Sequence, residues 1–414
     1  MMITDLFELS RRIISGEASI GDHHPLRMGV NATLQDVTDD IVFIESFANV
    51  TVVRTDDGLV AVDAGGPLHA QAIVDSVRSW SPDRLNTAVF THGHVDHIYA
   101  VRLFEAEGHG SANVIAHEAL PARFRRYEMT NGYNGVINQR QFQLGAPLFP
   151  GDYRYPDQTY RSELDVSVGA TEFHLRHDRG ETDDSTWVWI PSAKVLCTGD
   201  LFIWASPNCG NPQKAQRYCD EWAVALRKMA ELGAEFLLPG HGLPIVGAQL
   251  IKDVLEDTAA YRESLFTQTI DLMNSGARLD EIIHTVAPPP ELTGRPWLQP
   301  VYDEPEFIVR NIWRLYGGWY DGNPANLKPA RDAAVAGEIA ALAGGADRLA
   351  ARALELSSAG DHRLAAHLVE MASLAEPDAD EIRRARAAVF SARGSSETST
   401  MAKGVYAWAA KESS

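Results

Sequence analysis

Cysteine is scarce in this chain. Three occur in 414 residues, Cys197, Cys209 and Cys219, and none forms a C-x-x-C pair. So sparse and odd a set supplies no disulfide framework and fits a reducing compartment. Positive charge is short as well: 37 Lys and Arg stand against 56 Asp and Glu, a formal net charge of −19. That field repels polyanions, so nucleic acid is not expected as a partner. Long hydrophobic runs are missing too. No stretch approaches the ~18 consecutive apolar residues of a membrane helix. The start, MMITDLFELSRRIISGEASI, lacks the basic lead, apolar run and cleavage site of a signal peptide. The expectation is a cytoplasmic protein with neither a membrane nor a nucleic-acid partner.

What is present is the balance of a globular chain, 45% hydrophobic and 22% charged. The length suits two or three domains and a large core. A short helix is expected within residues 1–20. From about residue 40, IVFIES, NVTVVRT and LVAVDAG read as strands, the last two joined as a hairpin through Asp56-Asp57-Gly58. A helix over 68–80 and the strand NTAVF at 86–90 follow, then a helix at 101–108 and a strand at 113–117. Residues 120–160, rich in Tyr, Asn, Gln and Arg, read as a long irregular insertion, and such loops are usually functional. ATEFHLRH, STWVWIP, KVLCTGD and EFLLPGHG are further strands, with an amphipathic helix at 222–233. After about 250 the strand signals vanish. Helices are expected over 250–285 and 305–320, and Ala-, Leu- and Arg-rich helices over 333–394 include one tetratricopeptide-like hairpin. A polar linker at 395–400 and a last short helix close the chain.

The chemistry concentrates in Thr91-His92-Gly93-His94-Val95-Asp96-His97, directly after a strand. An extended-to-turn backbone points His92 and His94 to one side, and Asp96 and His97 can address a second ion. Imidazole with carboxylate suits zinc or another first-row metal. Asp63, Asp200 and His241 also end strands and precede turns, where α/β folds assemble their sites.

This arrangement resembles the metallo-β-lactamase superfamily over roughly residues 35–250. The resemblance implies a four-layer αβ/βα sandwich and a binuclear centre. It assigns His92 and His94 to a first metal, Asp96, His97 and His241 to a second, and Asp200 to both. Asp96 and Asp200 become the catalytic carboxylates, and Asp63 orients a ligand without binding metal. The cofactor it implies is two divalent ions per chain, zinc first, with manganese or iron as alternatives. The superfamily usually supplies a third first-site His in a turn ahead of the bridging acid. Here that turn reads Arg179-Gly180-Glu181-Thr182, which puts Glu181 in the His position, with His177 or His174 as the alternative ligand. A Glu there is similar to the alkyl sulfatase branch.

Further segments resemble that branch. GYNGVINQRQFQ at 132–143 is similar to its loop near the substrate, and 308–329, with Gly-Trp-Tyr-Asp-Gly-Asn-Pro, to its dimerisation region. The implied division is a catalytic domain over 1–250 and an all-helical dimerisation region over 251–414, in a homodimer. The branch's Asn-x4-Arg-Gly sulfate box is altered: Asn211 and Arg217 stand one residue too far apart and no Gly follows. Asp200 also replaces the branch's bridging Glu. Tyr133, Asn138, Arg140, Trp204 and Arg217 are the candidates for contacting a small-molecule substrate. Tyr127, Tyr153 and Tyr155 either line a pocket mouth or pack in loops, and His23, His24, His69, His109 and His117 read as surface or packing residues. The implied reaction is attack by a metal-bridging hydroxide on a small ester, an alkyl sulfate first. Hydrolysis of a carboxylic ester, lactone or thioester is the alternative within the class. An iron-dependent oxidoreductase on the same fold is the alternative outside it.

Overall fold

The computed structural model describes residues 5–27, 29, 31–215 and 217–413. The apolar, β-branched segments become two sheets. The first has seven strands in sequence order: β1 (Thr33–Thr38), β2 (Ile41–Glu45), β3 (Val50–Thr55), β4 (Gly58–Val62), β5 (Leu85–Val89), β6 (Asn113–His117) and β7 (Gln158–Tyr160). β1–β4 pair antiparallel through short turns, while β4–β7 pair parallel. Parallel pairing needs crossovers, and α2 (Ala70–Trp80) and α3 (Val101–Ala106) provide them. The preceding helix, α1 (Leu6–Ile14), starts at Asp5, whose carboxylate accepts the Phe7 and Glu8 amides.

The second sheet runs β13-β12-β11-β10-β9-β8, from β8 (Glu163–Val168), β9 (Thr171–His177), β10 (Thr186–Ile190), β11 (Val195–Ile203), β12 (Phe236–His241) and β13 (Ile245–Val246). β11 and β12 are parallel and joined by α6 (Cys219–Ala230). Every residue of β11 is buried, as a strand covered on both faces requires. α2 and α3 pack on the first sheet, and α6 with α7 (Ala248–Asn274) on the second, which gives the expected αβ/βα layering. The two sheets are stitched close to their strand ends. Thr186 donates its amide to Thr91 O at 2.7 Å, and the Asn49 side chain donates to Pro239 O and Gly242 O at 2.9 Å each.

Two compact units result, one of residues 1–131, 150–276 and 281–317, the other of 132–149, 277–280 and 318–414. The first holds both sheets and α9 (Pro305–Gly317). The second is helical: α10 (Asp332–Ala343), α11 (Ala346–Ser358), α12 (His362–Ala375), α13 (Asp380–Ser396) and α14 (Thr400–Glu412). Its core is built largely from alanines, among them Ala353, Ala365 and Ala372, with Leu349, Val369, Ile382 and Val389. Small side chains let these helices approach closely. α12 packs on both α11 and α13, so the single hairpin read from the sequence is part of a longer helical run.

The insertion at 120–160 corrects the sequence reading. It is not irregular: α4 (Leu120–Met129) and α5 (Asn131–Phe142) occupy most of it. Two glycines and three asparagines in α5 hide its helical character from propensity. Its end is fixed within the second unit, where Gln143 Nε2 donates to Gly404 O at 2.8 Å.

Candidate metal centre

The site forms where β4, β5, β11 and β12 end. Asp63 follows β4 in a left-handed conformation, φ +63°, uncommon for a residue with a side chain. That backbone turns its carboxylate back under the THGHVDH segment. Asp63 Oδ1 accepts the Thr91 amide at 2.8 Å, and Oδ2 accepts both the Thr91 hydroxyl and His97 Nδ1 at 2.8 Å. Thr91 Oγ1 in turn lies 3.0 Å from His92 Nδ1. With both Nδ1 atoms engaged behind them, His92 and His97 present Nε2 to the centre. His241 does the same, because its Nδ1 bonds Phe47 O.

The donors converge as two sets, His92/His94/Asp200 and Asp96/His97/His241, each with donor atoms within 4.8 Å of one another. His92 Nε2 and His94 Nδ1 approach to 2.8 Å. Asp200 spans the sets: Oδ2 lies 3.6 Å from His92 Nε2 and 3.4 Å from His241 Nε2, and Oδ1 lies 3.4 Å from His97 Nε2. Asp96 Oδ2 lies 3.4 Å from His241 Nε2 and 3.7 Å from His97 Nε2. Two glycines permit this crowding. A Cβ on Gly199 would meet Thr91 at 2.7 Å, and one on Gly240 would collide with the Asp200 carboxylate.

The electrostatics are those of buried titratable groups that face one another. Burial and the neighbouring His97 lower His92 to about 4. Burial likewise opposes a charge on His241, but Asp200 and Asp96 outweigh it and raise the ring to about 10. Burial would lift Asp96, yet His97 and His241 hold it near 2. His97 Nε2, Asp200 Oδ1 and Glu181 Oε2 are buried without a hydrogen-bond partner. Buried polar atoms are rarely left so. Orphaned nitrogen and carboxylate donors of this kind fit a divalent cation of the first row.

Glu181 is buried and stands 3.8 Å from His94 Nδ1. Its Oε1 accepts Arg217 Nη2 at 3.0 Å and the Asn208 amide. His177 lies elsewhere: its Nδ1 bonds Ser185 O at 2.8 Å and its ring stacks on His117 at 3.6 Å. His174, on β9, pairs with Glu172, 3.7 Å away.

The remaining sequence candidates divide. Arg217 is buried and turned onto Glu181, and Asn208, not Asn211, is the asparagine that joins it. Trp204, a candidate for contacting substrate, is wholly buried, with Nε1 donating to Leu243 O at 2.7 Å, because the strand continues inward past Asp200. Tyr133, Asn138 and Arg140 lie on α5, in the second unit's residues. Tyr153 is buried and stacked on Phe124 at 4.6 Å, so it packs. His23 bonds Glu45, His69 bonds Gly29 O and His117 bonds Arg161 O, all as packing residues.

Sequence reading missed the support of the His-rich turn. Asp184 is fully buried and accepts the Gly93 amide at 2.8 Å and Arg123 Nε at 2.9 Å. The acidic pair Asp183-Asp184, two residues after Glu181, was its only trace in the sequence.

Residues 44–241 match the model of the metallo-beta-lactamase superfamily, and 278–414 match the alkyl sulfatase dimerisation model. The metallo-beta-lactamase match covers the segment that carries the site residues from Asp63 to His241. Similar to this chain are a linear primary-alkylsulfatase of Pseudomonas sp., 26% identical over 72% of this chain and 61% of that one, and an (R)-specific secondary-alkylsulfatase of Pseudomonas sp., 26% identical over 68% and 47%. The chain thus spans about half to three fifths of these relatives' length. Among solved structures, a stereoselective inverting sec-alkylsulfatase from Pseudomonas sp. superimposes with a TM-score of 0.84 at 23% identity, over 92% of this chain and 65% of that one. That likeness shows the fold alone.

Proposed function

We propose that this protein is a binuclear metallohydrolase of small esters, with an alkyl sulfate as the first substrate class. The observation that carries the reading is Asp200, whose carboxylate faces histidines of both donor sets, His92 and His241 through Oδ2 and His97 through Oδ1. In this reading His92, His94 and Glu181 hold the first ion, Asp96, His97 and His241 the second, and Asp200 both. Zinc is the first expectation. The alkylsulfatase relatives support the substrate class.

When bound, two divalent cations supply Lewis-acid activation of water and stabilisation of the developing oxyanion at neutral pH. The chain's own residues do the rest. Asp63 and Thr91 fix the imidazole tautomers, so that lone pairs and not N–H groups face the centre. Asp96 is the most exposed carboxylate of the cluster, 22% against 7% for Asp200, and is held ionised by His97 and His241. It is the group placed to accept a hydrogen bond from the attacking water and orient it. Arg217 and Asn208 keep Glu181 directed at His94.

The altered sulfate box favours one second reading, hydrolysis of a carboxylic ester, lactone or thioester. Arg217, the arginine of that segment, is committed to Glu181. We further propose a cytoplasmic homodimer, a catalytic region over 1–250 and a dimerisation region over 251–414, in line with the matched dimerisation model. Among the described residues no helix is long and apolar enough to cross a membrane. Elemental analysis of chelator-free protein, followed by a panel of sulfate, carboxylic, thio- and phosphate esters, tests the proposal. Protein that carries no metal, and takes up neither zinc nor manganese, would refute it.

A further inference from the structure

We propose that Asn311, on α9, is a positioning residue for the metal centre: it grips both backbone polar groups of Arg217, and Arg217 fixes the Glu181 carboxylate beside His94. The inference rests on the metal-centre reading above. It assigns a role in the site to a residue of the segment matched by the dimerisation model.

The chain between β11 and α6 has no strand or helix to satisfy its backbone over 205–215 and 217–218. Buried amides and carbonyls there need other partners. Asn311 supplies two of them. Its Oδ1 accepts the Arg217 amide at 2.9 Å, and its Nδ2 donates to Arg217 O at 2.8 Å. Of the short side chains only Asn offers an acceptor and a donor side by side, so it grips a buried backbone as a neighbouring strand would. Asn311 and Arg217 are both buried.

The other end of the segment is tied to the same stretch. Asp303, fully buried, accepts the Gly210 amide at 2.5 Å. Gly210 is seated on the Phe307–Ile308 backbone so closely that a Cβ would collide with it. The tie at each end thus comes from residues 303–311. Beside these ties stand the two groups that reach Glu181: Asn208, two residues before Gly210, by its amide, and Arg217 itself by Nη2 at 3.0 Å.

Both donors use Glu181 Oε1. Oε2 stays buried with no hydrogen-bond partner. The clamp therefore orients the carboxylate and leaves one oxygen for a cation. Loss of Asn311 frees the Arg217 backbone, and the guanidinium with it. A displaced Arg217 no longer sets the angle at which Glu181 meets His94.

The test measures cobalt(II) binding by chelator competition and by the visible ligand-field spectrum, with no substrate present. Wild type is compared with Asn311→Asp, which keeps the acceptor and loses the donor, with Arg217→Met, and with the double variant. The wild type takes up a pair of ions. Asn311→Asp and Arg217→Met each weaken one of them by about tenfold or more, the scale of losing a group that orients a ligand. They alter the spectrum while the metal-free proteins melt together. The double variant is no weaker than Arg217→Met alone, since Asn311 acts through Arg217. Should Asn311→Asp fail to fold, Asn311→Ser takes its place. Unchanged cobalt affinity in a folded Asn311 variant, or additive losses in the double variant, overturns this inference while the metal centre stands. A wild type that binds no cobalt removes the metal centre itself.

Discussion

His97 and Asp63 form the most enclosed pair of the centre: His97 Nδ1 donates to Asp63 Oδ2 at 2.8 Å, and both side chains are buried. Through the Thr91 hydroxyl the same oxygen also reaches His92. One carboxylate thus sets the tautomer of an imidazole in each donor set. Asp63→Asn should lower the affinity of both metal positions by about 10–100-fold. The amide NH2 would face the His97 N–H side, and Asn tolerates the left-handed backbone, so the loss is electrostatic and not steric. Chelator competition reads it. Equal affinities in the variant and wild type would show that the tautomers are set elsewhere.

Asp200 groups with His92 and His94 but also lies 3.4 Å from both His97 and His241 of the other set. His92→Ala should therefore deplete one metal, and Asp200→Ala should remove most of both. Elemental analysis after gel filtration distinguishes the two patterns. An Asp200→Ala protein with full metal content would contradict the shared role.

Glu181 and His177 make a second contrast. Glu181 lies 3.8 Å from His94, while His177 is held by Ser185 O. Glu181→Ala should weaken the first ion, Glu181→His should retain it in part, and His177→Ala should cost stability at most. The reverse pattern would place the ligand on the wrong residue of this turn.

Much of this centre was legible because its donors sit at strand ends in one short motif and three turns. His92, His94, Asp96, His97, Asp200 and His241 could be read from local spacing and family likeness. Asp63 could be read as well, because a strand ends on it. The clamp around Glu181 was not legible. Asn208, Arg217, Asp303 and Asn311 have no periodicity, and their bonds link distant parts of the chain. Trp204 misled for a physical reason: an aromatic after a catalytic acid suggests a pocket wall, but burial of both sheet faces takes it into the core. α5 was misread because Gly and Asn lower helix propensity and tertiary packing overrides it.

Asp303 carries a pH signature. Burial is the main cause that raises its carboxyl to about 7, against the amides of Gly210 and Glu304 that oppose the shift. Cys209 adds to the rise and Arg217 counters it. A folded pKa above the unfolded one means that the native state binds the extra proton between the two values. Stability from this group is therefore present at the acid end and declines as pH rises through about 7. In Asp303→Asn that slope is absent. The urea midpoint of the wild type, relative to the variant, should fall between pH 5.5 and pH 8. A constant difference across that range would show that Asp303 is ionised throughout.

The substrate prediction turns on Arg217 and Arg140. The proposed alkyl sulfate needs a cation or amide for its terminal oxygens, and bidentate arginine is the strongest such donor. Arg217 is held by Glu181 through Nη2 and by Ala215 O through Nη1. Arg140, on α5, is then the arginine to test among the sequence candidates. If it recognises the anionic head, Arg140→Ala should lower kcat/KM for an alkyl sulfate by about tenfold or more, the scale of one charge-assisted hydrogen bond. The same variant should leave uncharged carboxylic esters unaffected. Arg217→Met would act differently, lowering turnover of every ester by way of Glu181 and the metal. The ester panel run on wild type and both variants separates the roles. Turnover confined to uncharged esters or lactones, with Arg140→Ala indistinguishable from wild type, would end the sulfate assignment and leave the hydrolase standing.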